Sequence, residues 1–136
     1  MKASDIMTLG AATIAHGGSL SQALRIMTDH RISALPVLGE DGRLAGIVTE
    51  GDFLRSNACA IGELLSRSAA ERANILDAHT VEEIMTRYPA TLGPNASIDE
   101  ATSLMEQRSL KRIPIVSDGN VLGILSRADL LRTLIE

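Results

Sequence analysis

The sequence has no tryptophan and only two aromatic residues, Phe53 and Tyr88, among 136. So few rings exclude a base-stacking platform of the kind that holds single-stranded nucleic acid, and a pocket walled mainly by aromatic side chains. The core must be aliphatic. A single cysteine, Cys59, excludes an internal disulfide and any zinc site built from several thiolates of one chain. Basic residues are outnumbered, 13 Lys and Arg against 17 Asp and Glu for a net charge of −4. The chain therefore lacks the basic face that neutralises phosphates in non-specific nucleic-acid binding. No apolar run approaches the roughly 18 residues of a membrane span, and Met1-Lys2 opens no secretory-type leader. These absences predict a soluble, cytoplasmic protein with neither a membrane nor nucleic acid among its partners. What is present, 45% apolar and 22% charged residues over a length typical of one domain, suffices for a compact unit.

The most informative positive feature is self-similarity. At an offset of 78, Ile6-Met7-Thr8 falls on Ile84-Met85-Thr86, Ala12-Thr13 on Ala90-Thr91, Ser19 on Ser97, Ala23 on Ala101, Met27 on Met105 and Pro36 on Pro114. One residue then drops out in a turn. At 77, Gly42 falls on Gly119, Gly46-Ile47 on Gly123-Ile124, Asp52 on Asp129 and Leu54-Arg55 on Leu131-Arg132. The chain reads as a first repeat over residues 1–56, a connector over 57–80 and a second repeat over 81–136.

Each repeat spells β-α-β-β-α. An extended piece around Ala12 to Ile14 leads to Ser19, whose spacing to Gln22 is a helix capping box, repeated as Ser97 and Glu100. Leu20, Ala23, Leu24 and Met27, and Ile98, Ala101 and Met105, then line one helical face. Two apolar runs around a polar turn follow, Ala34 to Leu38 with Leu44 to Val48, and Ile113 to Val116 with Val121 to Leu125. Each pair reads as a hairpin, and each is followed by a short helix. The fold class is α/β (α+β), with two repeats too small to bury much surface alone and expected to pack against one another. The connector, with Ile61, Leu64, Leu65, Ile75 and Leu76 among Ala, Arg and Glu, reads as mostly helical; Ser66 to Ala70 is ambiguous. Cys59 is expected there as a buried structural thiol.

His16, His30 and His79 stand in no ligand spacing, so no metal site is expected. No serine, cysteine or aspartate sits in a nucleophile or acid-base motif, and an enzyme is not indicated. What recurs is a hydroxyl three residues before an aspartate: Thr49 with Asp52, and Ser126 with Asp129. Helix capping alone explains these residue types. A carboxylate at a strand-to-helix turn can also accept hydrogen bonds from a ribose diol, and the two roles are compatible. Because a carboxylate repels phosphate, a nucleotide bound there needs separate cations. The second repeat supplies Lys111-Arg112 before Ile113-Pro114, where the first has Ser33-Ala34 before Leu35-Pro36. Charges that keep a sheet edge from pairing are the other reading of Lys111 and Arg112.

The doubled Ile-Met-Thr, the proline-bearing hairpin and the doubled Gly-Ile-x-[Thr/Ser]-x-x-Asp turn resemble the tandem CBS-domain pair, or Bateman module, of the stand-alone bacterial type. The resemblance implies two β-α-β-β-α repeats in pseudo-twofold symmetry, with clefts between them and assembly as a homodimer. It implies binding of AMP, ADP, ATP or S-adenosylmethionine with no obligatory cofactor, and control of an effector protein as yet unidentified. A ligand touching both halves of a cleft would act by favouring one orientation of the repeats. Position by position, it implies that Thr49, Asp52, Ser126 and Asp129 contact ribose and that Lys111 and Arg112 approach phosphates. Thr13, Thr91, Ile47, Ile113 and Ile124 would wall the base. The sequence departs from the family in lacking a basic pair in the first repeat and in showing no effector domain. A ligand-free dimerisation or assembly module is the alternative.

Overall fold

The computed structural model describes residues 1–56 and 60–136, and Cys59, with the expectation of a buried thiol, lies outside the described residues. The elements run α1 (Ala3–Ile6), β1 (Thr8–Leu9), β2 (Ile14–Ala15), α2 (Leu20–His30), β3 (Ala34–Leu38), β4 (Leu44–Thr49), α3 (Glu50–Arg55), α4 (Ile61–Leu65) and α5 (Ala69–Ala78). A 3-10 turn (Val81–Glu83), β5 (Thr86–Arg87), α6 (Ile98–Arg108), β6 (Arg112–Ser117), β7 (Asn120–Ser126) and α7 (Arg127–Thr133) complete the chain. The mixed α/β class and the repeated strand-helix order agree with the sequence, and α4 with α5 make the connector mostly helical. The ambiguous Ser66 to Ala70 stretch resolves as a joint: Ser66 closes α4, and the Ser68 hydroxyl caps α5 by accepting from the Glu71 N–H at 3.2 Å.

The compact units do not follow the repeat boundaries. One unit comprises Met1–Ala11 with Pro89–Glu136, the other Ala12–Tyr88. In the second of these, β2 pairs parallel with β3, β3 antiparallel with β4, and β4 antiparallel with β5, which comes from the start of the second repeat. In the other, β1 from the start of the first repeat pairs antiparallel with β7, which pairs with β6. Each repeat thus sends its Ile-Met-Thr segment to the sheet edge of the other.

Two glycines make that exchange possible. A Cβ at Gly46 would stand 2.7 Å from both Met85 Sδ and the Thr86 carbonyl oxygen, and one at Gly123 would collide with the Thr8 carbonyl oxygen beside Met7. The repeated Met-Thr and the repeated Gly-Ile are therefore two sides of one contact.

Around the Ala12–Tyr88 sheet, Ile14, Leu20, Ala23, Met27, Leu35, Val37, Val48, Phe53, Leu64 and Val81 form one aliphatic core, with Phe53 its single ring. Ala3, Ala101, Met105, Ile113, Ile115 and Leu125 form the other. Ser19 makes the full capping box with Gln22, its hydroxyl accepting from the Gln22 N–H at 3.1 Å while the Gln22 carbonyl takes the Ser19 N–H at 3.0 Å. The second box is only half made. Ser97 accepts from the Glu100 N–H at 3.1 Å, but the Glu100 carboxylate does not return to the Ser97 N–H.

The β6–β7 turn has Asp118 and Gly119 both at positive φ, 53° and 83°, as a two-residue hairpin requires. The longer β3–β4 turn holds the extra residue and closes through Gly42 at φ 78°, with the Arg43 N–H donating to Asp41 Oδ1 at 3.0 Å. The one-residue slip between repeats lies there.

Candidate functional site

β4 and β7 end at Thr49 and Ser126 in extended backbone (φ −125° and −109°), which turns each hydroxyl back over the first turn of the following helix. The Asp52 N–H donates to Thr49 Oγ1 and the Asp129 N–H to Ser126 Oγ, both at 3.2 Å. The carboxylates answer: Asp52 Oδ2 accepts the Thr49 N–H at 2.9 Å, and Asp129 Oδ2 the Ser126 N–H at 2.8 Å. Both turns are complete capping boxes, so the capping reading of these four residues is realised.

These aspartates are the two buried charged residues of the described core, 7% and 5% exposed. Burying a carboxylate is unfavourable unless it is paired. Each finds its counter-ion on its own helix, Arg55 Nη2 donating to Asp52 Oδ1 at 3.0 Å and Arg132 Nη2 to Asp129 Oδ1. The doubled Asp-x-x-Arg spacing, i to i+3 on a helix, is the sequence signal for these pairs, although neither arginine was singled out from sequence. Beyond this the sites differ. Asp52 Oδ2 also accepts the Thr49 hydroxyl at 3.1 Å, and Oδ1 the Thr86 hydroxyl at 3.2 Å. The sequence marks Thr86 only as part of the repeated Ile-Met-Thr, and nothing in it joins Thr86 to Asp52, 34 residues away.

The other candidate residues fall as follows. Arg112, half-buried on β6, lies directly across from Ser126 on β7. Lys111 is exposed just before it, its carbonyl accepting the Arg127 N–H at 3.0 Å. The structure thus brings Arg112 alongside the Ser126 and Asp129 turn; in the first repeat Ala34 occupies the matching place across from Thr49. Ile47 is 8% exposed on β4, paired with Pro36 and Thr86, and Ile124 is half-buried on β7, paired with Pro114 and Thr8. Thr13 is half-buried just before β2, and Thr91 is exposed just before Leu92, which bridges Ile115. Ile113 is fully buried in the core and presents no side-chain surface.

His16 Nδ1 lies 3.1 Å from Glu82 Oε2, across the Ser19–Thr80 bridge; His79 Nδ1 lies 3.1 Å from Glu83 Oε1 and His30 Nδ1 3.0 Å from the Ile26 carbonyl oxygen, both local contacts four residues apart. The His16 and Arg87 side chains hold the Glu82 carboxyl below the usual carboxylate range. The Thr80 N–H and then His79 do the same for Glu83. Among the described residues, no group of three or more His, Cys, Asp or Glu is placed to hold a metal ion, and no helix is long and apolar enough to cross a membrane.

The CBS domain family model matches residues 3–58 and 81–136. The chain belongs to the CBS domain family. As a CBS pair it is 32% identical over 142 residues to Hypoxic response protein 1 of Mycobacterium tuberculosis, covering 98% of this chain and 85% of that one. The solved CBS domain of a CBS domain containing membrane protein from Sphaerobacter thermophilus superposes with a TM-score of 0.82 at 30% identity, covering 97% of this chain and 86% of that one. The CBS domain pair of protein MJ0100, solved in complex with 5′-methylthioadenosine and S-adenosyl-L-methionine, superposes with a TM-score of 0.76 at 27% identity, covering 98% and 95%.

Proposed function

We propose that this CBS pair is a non-catalytic regulatory module that binds an adenosine-containing ligand and signals to a partner protein. The observation that carries the reading is the buried Asp129 carboxylate in the first turn of α7, just past the end of β7, with the Ser126 hydroxyl on the Asp129 main-chain N–H and Arg112 across from Ser126 on the neighbouring strand. A ribose diol donates to the carboxylate, and Arg112 with the exposed Lys111 neutralises a phosphate on the same ligand. That charge pattern favours AMP, ADP or ATP over S-adenosylmethionine. The relative solved with 5′-methylthioadenosine supports an adenosine moiety as the shared element. Ile124 and Thr91 offer surface to the base; Ile113 can contribute only its main chain.

Signalling follows from the ion pair the ligand must open. Arg132 leaves Asp129 when the diol arrives, and it lies on α7 beside Leu131, with Leu134 and Ile135 in the turn that follows; the three are 64%, 80% and 87% exposed. A partner contacting that apolar face reads the two states of Arg132 differently, which is the differential interaction a population shift needs. An exposed apolar surface of this kind also suits a homodimer, and sedimentation equilibrium giving a monomer at all concentrations would remove the dimer from this reading.

The test is a thermal-shift screen against AMP, ADP, ATP and S-adenosylmethionine at about 1 mM, where a ligand present at a hundred times its Kd adds about 2.7 kcal/mol to native-state stability. AMP is expected to raise the melting midpoint. No rise with any of the four replaces the sensor with the ligand-free assembly module, for which capping and packing already account for every residue named.

A further inference from the structure

The two repeats carry the same Thr-or-Ser and Asp turn, yet their carboxylates are not equally available. An ionised carboxylate has about four lone-pair positions. Asp52 receives four donors: the Thr49 N–H and hydroxyl on Oδ2, and the Thr86 hydroxyl and Arg55 on Oδ1. Asp129 receives two, the Ser126 N–H and Arg132. Among the described residues no hydroxyl reaches it. Thr8 stands where Thr86 stands, paired with Ile124 as Thr86 is with Ile47, and makes no such bond.

From this count we infer that the chain takes one adenosine ligand, at Asp129, and that Thr86 is the residue that closes Asp52. The inference rests on the proposed ligand and goes beyond it to occupancy. Both arginines sit on exposed side chains, 71% and 60%, and can swing into water when a diol arrives. Once they do, Asp129 offers three acceptor positions and Asp52 only one, whereas a ribose diol brings two hydroxyls. Thr86 does not withdraw as an arginine does. It is β-branched, with few χ1 states, and its backbone is fixed in the β4–β5 ladder. The cations point the same way: Arg112 faces Ser126, while the uncharged Ala34 faces Thr49.

Isothermal titration of the full chain with AMP tests this, with 5′-methylthioadenosine as a probe that lacks the phosphate. One AMP per chain is expected. Asp129→Ala should weaken it at least tenfold, Asp52→Ala should leave it within twofold, and Thr86→Val, an isostere without the hydroxyl, should add a second, weaker event. Circular dichroism and melting of each variant establish that it is folded, and the wild-type stoichiometry needs no variant at all. Two AMP per chain in the wild type, or loss through Asp52→Ala alone, overturns the inference while leaving the ligand class standing. A Thr86→Val protein that still binds one AMP removes Thr86 as the cause. Binding of neither probe overturns the inference together with the function it rests on.

Discussion

Gly123→Val is expected to destabilise the protein by about 3 kcal/mol, the upper part of the range for overpacking a tight site, because the obstacle is backbone. The added Cβ collides with the Thr8 carbonyl oxygen and lies 3.0 Å from Met7 Sδ. Thr8 is held in register with Ile124 and Leu9 with Gly123, so the oxygen retreats only by breaking the β1–β7 pairing. Met7 is flexible and can yield; the carbonyl cannot. Gly62→Ala is the contrasting case, with nothing within 4 Å of the new Cβ and a position inside α4, where the exchange should stabilise by up to about 1 kcal/mol. Urea denaturation followed by circular dichroism reads both. A Gly123→Val midpoint indistinguishable from wild type would mean that the Met7-Thr8 segment does not lie on β7 in solution.

Phe53→Ala should cost more, about 4 kcal/mol. Phe53 is the buried ring of its core at 3% exposure, and it lies on α3, a helix of six residues. Such a helix has too few internal hydrogen bonds to persist by propensity, so packing holds it against the sheet. Removing the ring leaves a cavity and loosens the element that carries Asp52 and Arg55. The counterpart by sequence offset, Leu130, is only partly buried against the other core, so Leu130→Ala should cost distinctly less. Equal losses for the two variants, measured by the same denaturation, would show that the cores are not organised around these side chains as described.

The parts of this protein legible from sequence are those whose physics is local. The Ser19 box, the Thr49 and Ser126 caps, the Asp118-Gly119 turn and the helical face of Leu20, Ala23 and Met27 are all encoded within a few residues, and all are present. The connector's joint at Ser66 and Ser68 was ambiguous because α5 has no buried residue to give it a periodic pattern. The exchange of β1 and β5 left no trace as strands, since each is two residues long and has no buried residue to set an alternating pattern. Its trace was in the repeat itself, Met-Thr and Gly recurring together, and only distance in space joins them. The candidate site divides in the same way. Its hydroxyls and carboxylates were visible, the burial of Ile113 followed from a core the local pattern did not define, and the inequality of Asp52 and Asp129 hangs on one hydroxyl from a residue type both repeats share.

The exchange of β1 and β5 also orders events during synthesis. The Ala12–Tyr88 unit is contiguous and has all its strands once residue 88 has left the ribosome, whereas residues 1–11 belong with a sheet whose other strands are translated last. At roughly 5 to 20 residues per second, the segment bearing Met7 and Thr8 waits several seconds for β7 to appear. Throughout that wait Thr8 and Leu9 have no sheet to join, so a chaperone meeting this protein at the tunnel exit would find residues 1–11 available after the Ala12–Tyr88 unit had closed.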